Sequence, residues 1–309
     1  MNFLVNPTIY PIFQILISLI LCLGILNFGK LINNIFFKNF NYNFFNLSIG
    51  AIILSLFIFL IFLFEILDLM IAPLAILIIL LGIVNIKFFI NTNYLFKKII
   101  KNENKLFTII CFFFIIFSII SLGPPSMTDA TDYHYGVPLN IIKFSTFPNQ
   151  DVWLHGSLFG YGELINIIPL YLKTDNFFSF FQLLSLVFFF EYFYRKNIDY
   201  NNLLFSILFI ICTPVILFII SGPKALLFPQ LLTTMALYLY VSEKKYNRKN
   251  IILISILLLG STQFKLSFIL SSTVIGILVL LKTFNHDKKN ILNLIIICLL
   301  IFFPKFYYN

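Results

Sequence analysis

Residues 45–64 read FNLSIGAIILSLFIFLIFLF, twenty consecutive positions without an Asp, Glu, Lys or Arg. About 20 apolar residues in a helix cover the roughly 30 Å hydrocarbon core of a bilayer. Similar runs recur along the chain, which is 60% hydrophobic and only 11% charged, whereas a soluble domain carries about 25% charged residues. The sequence therefore predicts an all-α membrane protein that crosses the bilayer several times.

We predict about ten spans in total. Because Lys265 would otherwise lie at mid-membrane depth, the long apolar stretch 250–282 is predicted to form two helices that break near Gly260–Lys265. The other predicted spans cover roughly 8–29, 45–64, 69–90, 106–122, 177–194, 203–220, 225–242 and 290–304. This divides the chain into N-terminal spans (1–122), one large loop (123–176) and C-terminal spans (177–309).

The formal net charge of +9 does not indicate a nucleic-acid partner, because the basic residues form short clusters between the apolar runs. If the N-terminus lies outside and the spans alternate, only five of the 21 basic residues fall outside: Lys143, Lys173, Lys224, Lys265 and Lys305. Basic residues concentrate on the cytoplasmic side of membrane proteins. The charge pattern therefore predicts that loop 123–176 lies on the non-cytoplasmic side.

Within this loop, residues 157–172 mix apolar and polar side chains and are too few to span a membrane. This pattern predicts an interfacial amphipathic helix that lies along the membrane surface. Tyr161 within this stretch and Trp153 just before it are suited to anchor the loop at the membrane interface.

The chemistry-bearing residues of the loop begin with DATDYHYGVPL at 129–139. Two carboxylates, Asp129 and Asp132, lie within six residues of the imidazole of His134. A carboxylate there can act as a general base, or two can bind a divalent cation through their oxygens. A structural role also explains the pattern, because Asp132 is placed to cap a helix that begins near Tyr133. The residues alone leave both interpretations open.

The pattern D-x-x-x-Y-H followed by Pro-Leu, after an apolar span and in the first large outer loop, resembles the C-type integral membrane glycosyltransferases. It is most similar to the protein O-mannosyltransferase and aminoarabinose-transferase group, over roughly residues 105–285. The resemblance implies an enzyme that transfers a sugar, with inversion, from a polyprenyl-phosphate carrier to a glycan, lipid or protein acceptor. It also implies a multi-pass protein of a bacterial inner (plasma) membrane that serves cell-envelope assembly.

Carried over by position, the resemblance places the catalytic carboxylate at Asp129, four residues before Tyr133. Asp132 is then a second catalytic candidate, and His134 matches the histidine of the motif. These three residues form the predicted catalytic set, whereas Tyr133 is assigned to substrate binding.

Two outer lysines, Lys224 and Lys265, suit the phosphate of the carrier, since an ammonium group binds phosphate without a fixed geometry. Snorkelling toward lipid headgroups also explains both. His155 and Glu163 are predicted to line the acceptor site or to assist a metal. No spacing in the loop matches a metal-ligand pair, so the sequence leaves the cofactor undecided between none and a divalent cation such as Mg²⁺ or Mn²⁺.

Two other classes of protein fit parts of the sequence. A transporter or flippase of lipid-linked precursors places ionisable residues at mid-membrane and uses broken helices, and the break near Lys265 is the one feature that favours it. A non-catalytic membrane subunit predicts that Asp129 and Asp132 are dispensable. The concentration of polar groups in one outer loop favours the enzyme.

Overall fold

The computed structural model describes residues 11–36, 42–84, 105–121, 123, 133–146, 160–196, 200–242 and 248–284. Every regular element within these ranges is helical, which confirms the predicted all-α class. The helices are α1 Pro11–Phe36, α2 Asn43–Leu63, α3 Leu67–Val84, α4 Lys105–Ser121, α5 Gly136–Phe144, α6 Tyr161–Leu164, α7 Ile167–Tyr171, α8 Phe177–Arg195, α9 Tyr200–Ile211, α10 Pro214–Ile220, α11 Leu227–Ser242, α12 Arg248–Phe264 and α13 Ile269–Phe284, the last preceded by a 3₁₀ turn at Leu266–Phe268.

Five of the described helices are long and apolar enough to cross a membrane, or six if the bent pair α9 and α10 is one span. Three further apolar helices, α4, α11 and α12, are shorter. The membrane class is therefore supported, whereas the count of about ten spans is not confirmed. The predicted span at 290–304 lies outside the described residues.

Glycines let α1 lie in close contact with its two neighbours. A Cβ added at Gly29 or Gly50 would overlap backbone atoms across the α1–α2 contact, and one added at Gly24 or Gly82 would do so across the α1–α3 contact. Small residues allow this approach between membrane helices, where packing rather than water exclusion drives association. The three N-terminal helices are thus held together by close backbone packing.

Two helix breaks lie within the predicted C-terminal spans. The span predicted at 203–220 is wrong in detail, because α9 and α10 meet at an angle of 66°. Pro214 begins α10, and a proline has no N–H with which to continue the preceding helix. At the second break, α12 ends at Phe264 and Lys265 is extended, with φ −153° and ψ 115°. This break lies at the end of the predicted interval 260–265.

The connections predicted to face outward meet at one end of the bundle, which we call the loop end. The Ser145 hydroxyl after α5 donates to Asp68 Oδ1 at the start of α3 (2.6 Å). Gln14 on α1 donates to the Lys173 carbonyl (3.4 Å). At the opposite end, the Asn43 amide donates to Glu191 Oε2 (2.7 Å). The side of the membrane that the loop end faces stays a prediction.

The helical segment predicted to lie along the membrane surface is instead largely buried. Every residue from Gly160 to Leu170 is buried, and only at Tyr171 does the chain become exposed. It contacts α2, α3 and α12. The prediction for 157–172 is therefore wrong for this part, which plugs the loop end of the bundle. Helix α5 has the amphipathic character instead, with Ile141 buried and Phe144 exposed.

Candidate functional site

A buried pair of polar side chains, His134 and Glu163, joins the two described parts of the loop. His134 Nδ1 lies 2.7 Å from Glu163 Oε1, and both side chains are about 2% exposed. The second oxygen, Oε2, accepts the Gly160 backbone N–H at 2.7 Å. Both carboxylate oxygens therefore take part in hydrogen bonds. Glu163 links His134 to the buried segment 160–170, although the two residues are 29 positions apart in the sequence.

The local sequence explains why Glu163 adopts this position. It is the third residue of helix α6, where a glutamate side chain reaches back to the N–H of the N-cap residue. The N-cap is Gly160, and a Cβ there would lie 2.6 Å from the Gln263 carbonyl oxygen. Only glycine permits this approach to the end of α12, so the G-Y-G-E sequence places the carboxylate beside the helix break.

The pairing sets the chemistry available to His134. An ionised carboxylate only accepts hydrogen bonds, so with Glu163 ionised the shared proton is on Nδ1 of His134. In a neutral imidazole this leaves Nε2 as an acceptor that can take a proton from another group. The arrangement holds one tautomer of His134, in the way that an acidic residue orients a catalytic histidine.

Lys265 lies at the break between α12 and the 3₁₀ turn, near Tyr133, the residue that precedes His134. Its Nζ is 5.7 Å from the ring centroid of Tyr133, within the range of a cation–π contact. The Tyr133 ring is in turn 4.5 Å from the His134 ring. Burial, and next the charge of Glu163, raise the pKa of Tyr133 well above its usual range, so this phenol stays neutral. An aromatic ring thus separates the lysine from the histidine.

Lys224 lies on a neighbouring turn that a buried glutamine supports. The Gln182 side chain on α8 donates to the Gly222 carbonyl (3.3 Å) and accepts the Leu227 N–H (3.0 Å). Ala225 packs so closely on Gly162 that a Cβ at that glycine would lie 2.4 Å from the alanine Cβ. Lys224 therefore belongs to the same end of the bundle as Lys265 and Glu163.

Further buried polar groups lie in this region, and among them the sequence singled out only Tyr161, whose burial shows that the prediction of an interface anchor was wrong. The Tyr161 hydroxyl, Gln263 Nε2 and Asp175 Oδ1 have no hydrogen-bond partner among the described residues. The Tyr135 hydroxyl donates to the Asp175 carbonyl, and burial raises the pKa of the Asp175 carboxyl. Gln182 could have been identified from the sequence. A glutamine within an apolar membrane helix is costly to bury in the bilayer, so its presence there indicates a structural or functional role.

The structure brings together several residues that the sequence predicted for the site: Tyr133, His134, Glu163, Lys224 and Lys265. Three others, Asp129, Asp132 and His155, lie outside the described residues. Within the described ranges, no group of three or more His, Cys, Asp or Glu side chains could hold a metal ion. The described part of the site thus offers a histidine–glutamate pair and two lysines rather than a metal centre.

These features define a multi-pass α-helical membrane protein with a polar, partly buried site at one end of its helix bundle. The chain belongs to the family described as DUF1420 N-terminal domain, whose match covers residues 92–309. No curated protein and no solved structure matches it. The family match includes the loop and every element that forms the site, from α4 to α13.

Proposed function

We propose that this protein is a membrane glycosyltransferase. It moves a sugar from a polyprenyl-phosphate carrier to a glycan, lipid or protein acceptor at the outer face of the membrane. The observation that carries the proposal is the position of Lys265, a cation at a helix break, against the ring of Tyr133, which in turn contacts His134 of the buried His134–Glu163 pair. The resemblance of 129–139 to the C-type transferases supplies the reaction class.

The reaction is a single displacement at the anomeric carbon of the sugar. The acceptor hydroxyl loses its proton to a base as its oxygen forms the new glycosidic bond. The bond between the anomeric carbon and the carrier phosphate breaks, and the electron pair leaves with the phosphate. Asp129 is the proposed base, by its place in the loop pattern, and general-base catalysis of this kind contributes about 10²–10⁴-fold.

Charge on the leaving phosphate must be neutralised as the bond breaks. Lys265 and Lys224 both lie at the loop end, and the lysine ammonium is a compact charge that suits a phosphate oxygen. Among the described residues, these two lysines are the proposed cations for this step. His134, held by Glu163, is proposed to hydrogen-bond the sugar or the acceptor through Nε2.

The proposal is tested with the purified full chain in liposomes. Release of labelled sugar is measured from a panel of polyprenyl-phosphate sugars, with Lys265→Met beside Lys143→Met. Lys143 is an exposed lysine on α5 of the same loop and serves as the matched control. Loss of a hydrogen bond to a charged group costs about 1.5–3 kcal/mol, so kcat/KM should fall about 10- to 100-fold for Lys265→Met alone.

Two results would contradict the proposal. A wild-type protein that turns over no donor would remove the transferase activity from this chain. Equal activity of Lys265→Met and Lys143→Met would remove Lys265 from the binding of the phosphate.

A second candidate function is a flippase of lipid-linked precursors. The two helix breaks, at 212–213 and at Lys265, favour it, because broken helices are common at transporter binding sites. The same liposomes distinguish the two functions. A flippase moves a fluorescent polyprenyl-phosphate sugar between leaflets without cleaving it, whereas a transferase releases or transfers the sugar.

A further inference from the structure

Three buried residues, Gly160-Tyr161-Gly162, which we call the GYG segment, lie against the helix break that carries Lys265. A Cβ added at Gly160 would lie 2.6 Å from the Gln263 carbonyl oxygen and 3.0 Å from that of Phe264. These two residues end α12, directly before Lys265. The backbone at the break therefore packs directly on the GYG segment.

The second glycine of the segment contacts both lysine-bearing turns at once. A Cβ added at Gly162 would lie 2.4 Å from the Ala225 Cβ and 3.2 Å from the Phe264 carbonyl oxygen. Ala225 directly follows Lys224 in the chain. Phe264 directly precedes Lys265. Because both atoms lie so close to one point, the two turns are neighbours that meet at Gly162.

Close approach, rather than backbone conformation, explains the two glycines of the segment. Among the described residues, no glycine has a positive φ, so an alanine could adopt the same backbone angles at either position. Glycine loses more conformational freedom on folding than any other residue and is therefore unfavourable where its flexibility is not used. The glycines here allow the contacts with the Lys224 turn and the Lys265 break.

The same part of the chain also positions the buried pair. Glu163 directly follows Gly162, accepts the Gly160 N–H and lies 2.7 Å from His134 Nδ1. The backbone of residues 160–163 therefore fixes one histidine and two lysine-bearing turns relative to one another.

The charges on the two turns suit a shared ligand. Lys224 and Lys265 are each partly exposed, and a lysine side chain is a flexible stem of four carbons that ends in a compact charge. Two such stems from adjoining turns can reach the same anionic group. Charge-assisted hydrogen bonds from both lysines would bind a phosphate more tightly than a bond from either alone.

From these observations we infer that Gly162 is a positioning residue, which sets the separation of the Lys224 turn and the Lys265 break so that both ammonium groups bind one phosphate. This rests on the proposed function in one respect, since the phosphate is that of the proposed donor. Gly162 itself makes no contact with the substrate and acts through the two lysines.

The test uses a compensating pair of substitutions. Gly162→Ala adds a Cβ that overlaps Ala225, and Ala225→Gly in the same chain removes the atom that it meets. Binding of labelled polyprenyl phosphate without a sugar is measured on the full chain in phosphatidylcholine nanodiscs, for wild type, both single variants and the double variant. Gly29→Ala is the matched control, because a Cβ there overlaps the Asn46 carbonyl across the α1–α2 contact instead.

Gly162→Ala should weaken binding about tenfold, as expected when one of two hydrogen bonds to a charged group is lost. The double variant should return to within about threefold of the wild type, because the two substitutions act on one contact and are not additive. Gly29→Ala should bind like the wild type even if it is less stable. SDS titration of each variant separates lost binding from lost folding.

Three binding results would overturn the inference. Gly162→Ala could bind as tightly as Gly29→Ala, the double variant could bind as weakly as Gly162→Ala, or the wild type could fail to bind the phosphate.

A second measurement does not depend on the folding of Gly162→Ala. Cysteines that replace Lys224 and Lys265 together are treated with a short bismaleimide, and mass spectrometry identifies the linked peptides, with each single-cysteine variant as a control. Neighbouring turns predict a link between positions 224 and 265. The absence of this link in the folded protein would overturn the inference.

Binding requires no catalysis, so the positioning role and the proposed function can fail separately. Phosphate binding with the expected pattern, but without sugar transfer by the wild type, would refute the proposed transferase alone. Sugar transfer by Gly162→Ala with the kcat/KM of the wild type would refute the positioning role alone.

Discussion

Replacement of Glu163 by alanine removes the acceptor of two buried hydrogen bonds. His134 Nδ1 and the Gly160 N–H, each 2.7 Å from a carboxylate oxygen, lose their partner in a place where water cannot replace it. A hydrogen bond to a charged group contributes about 1.5–3 kcal/mol, and the loss of one member of a buried pair costs about 3–5 kcal/mol. We expect Glu163→Ala to lower the free energy of unfolding by about 3–5 kcal/mol.

Glu163→Gln separates the shape of the side chain from its charge. The glutamine oxygen can still accept the Gly160 N–H, and its NH₂ group then faces His134 Nδ1 as a donor. His134 can accept this bond only as the other neutral tautomer, with its proton on Nε2. We expect a loss of about 1 kcal/mol in stability, together with a lower activity, because Nε2 then donates a hydrogen bond and can no longer accept one from the sugar or the acceptor.

The assay for both variants is SDS titration of the protein in dodecyl maltoside, followed by circular dichroism, beside sugar release from the donor. Glu65→Gln is the matched control, because Glu65 is an exposed glutamate in the turn between α2 and α3. Its stability should change by no more than about 0.5 kcal/mol. If Glu163→Ala were as stable as the control, the contact between Glu163 and His134 would not stabilise the packing of the two parts of the loop. If Glu163→Gln kept full activity, the tautomer of His134 would not matter.

Three other perturbations follow from the packing. Burial raises the pKa of the Asp175 carboxyl above its ordinary value, so ionisation of this group destabilises the fold as the pH rises through the raised pKa. Asp175→Asn should therefore stabilise the protein at pH 7 but not below pH 4. Equal melting curves of the variant and the wild type at pH 7 would contradict this. Gln182→Leu should lower the free energy of unfolding by about 2–4 kcal/mol, because the turn at Lys224 loses its buried hydrogen bonds. A Lys224→Cys thiol should then react faster with a water-soluble maleimide. An unchanged rate of this reaction would contradict the prediction. Gly29→Ala should lower the melting temperature through overlap with α2, whereas Gly276→Ala should raise it slightly, and the same shift for both would refute the packing argument.

The apolar runs predicted the helices well, because length and hydropathy are local properties of the chain. The run 45–64 corresponds to α2, Asn43–Leu63, and 177–194 corresponds to α8, Phe177–Arg195. The bend between α9 and α10 was missed, although Thr213-Pro214 carried the signal for it. A proline in the middle of an apolar run should therefore be treated as a potential break.

The burial of residues 160–170 could not be predicted, because it depends on contacts with distant parts of the chain. Gly160 and Gly162 permit close approach to the backbone near residues 225, 263 and 264, and nothing local indicates these neighbours. The same holds for the site. His134 and Glu163 were both predicted as site residues, but their direct pairing depends on how the two parts of the loop fold together.

Sugar release from polyprenyl-phosphate donors in liposomes, compared between wild type, Asp129→Asn and Asp68→Asn, is the most direct test of the proposed transferase activity. Asp68 is an exposed aspartate of α3 at the same end of the bundle, so its variant controls for charge. We expect Asp129→Asn to lower turnover at least about a hundredfold, because the general base is lost, and Asp68→Asn to stay close to wild type. Equal turnover in the wild type and Asp129→Asn would contradict it.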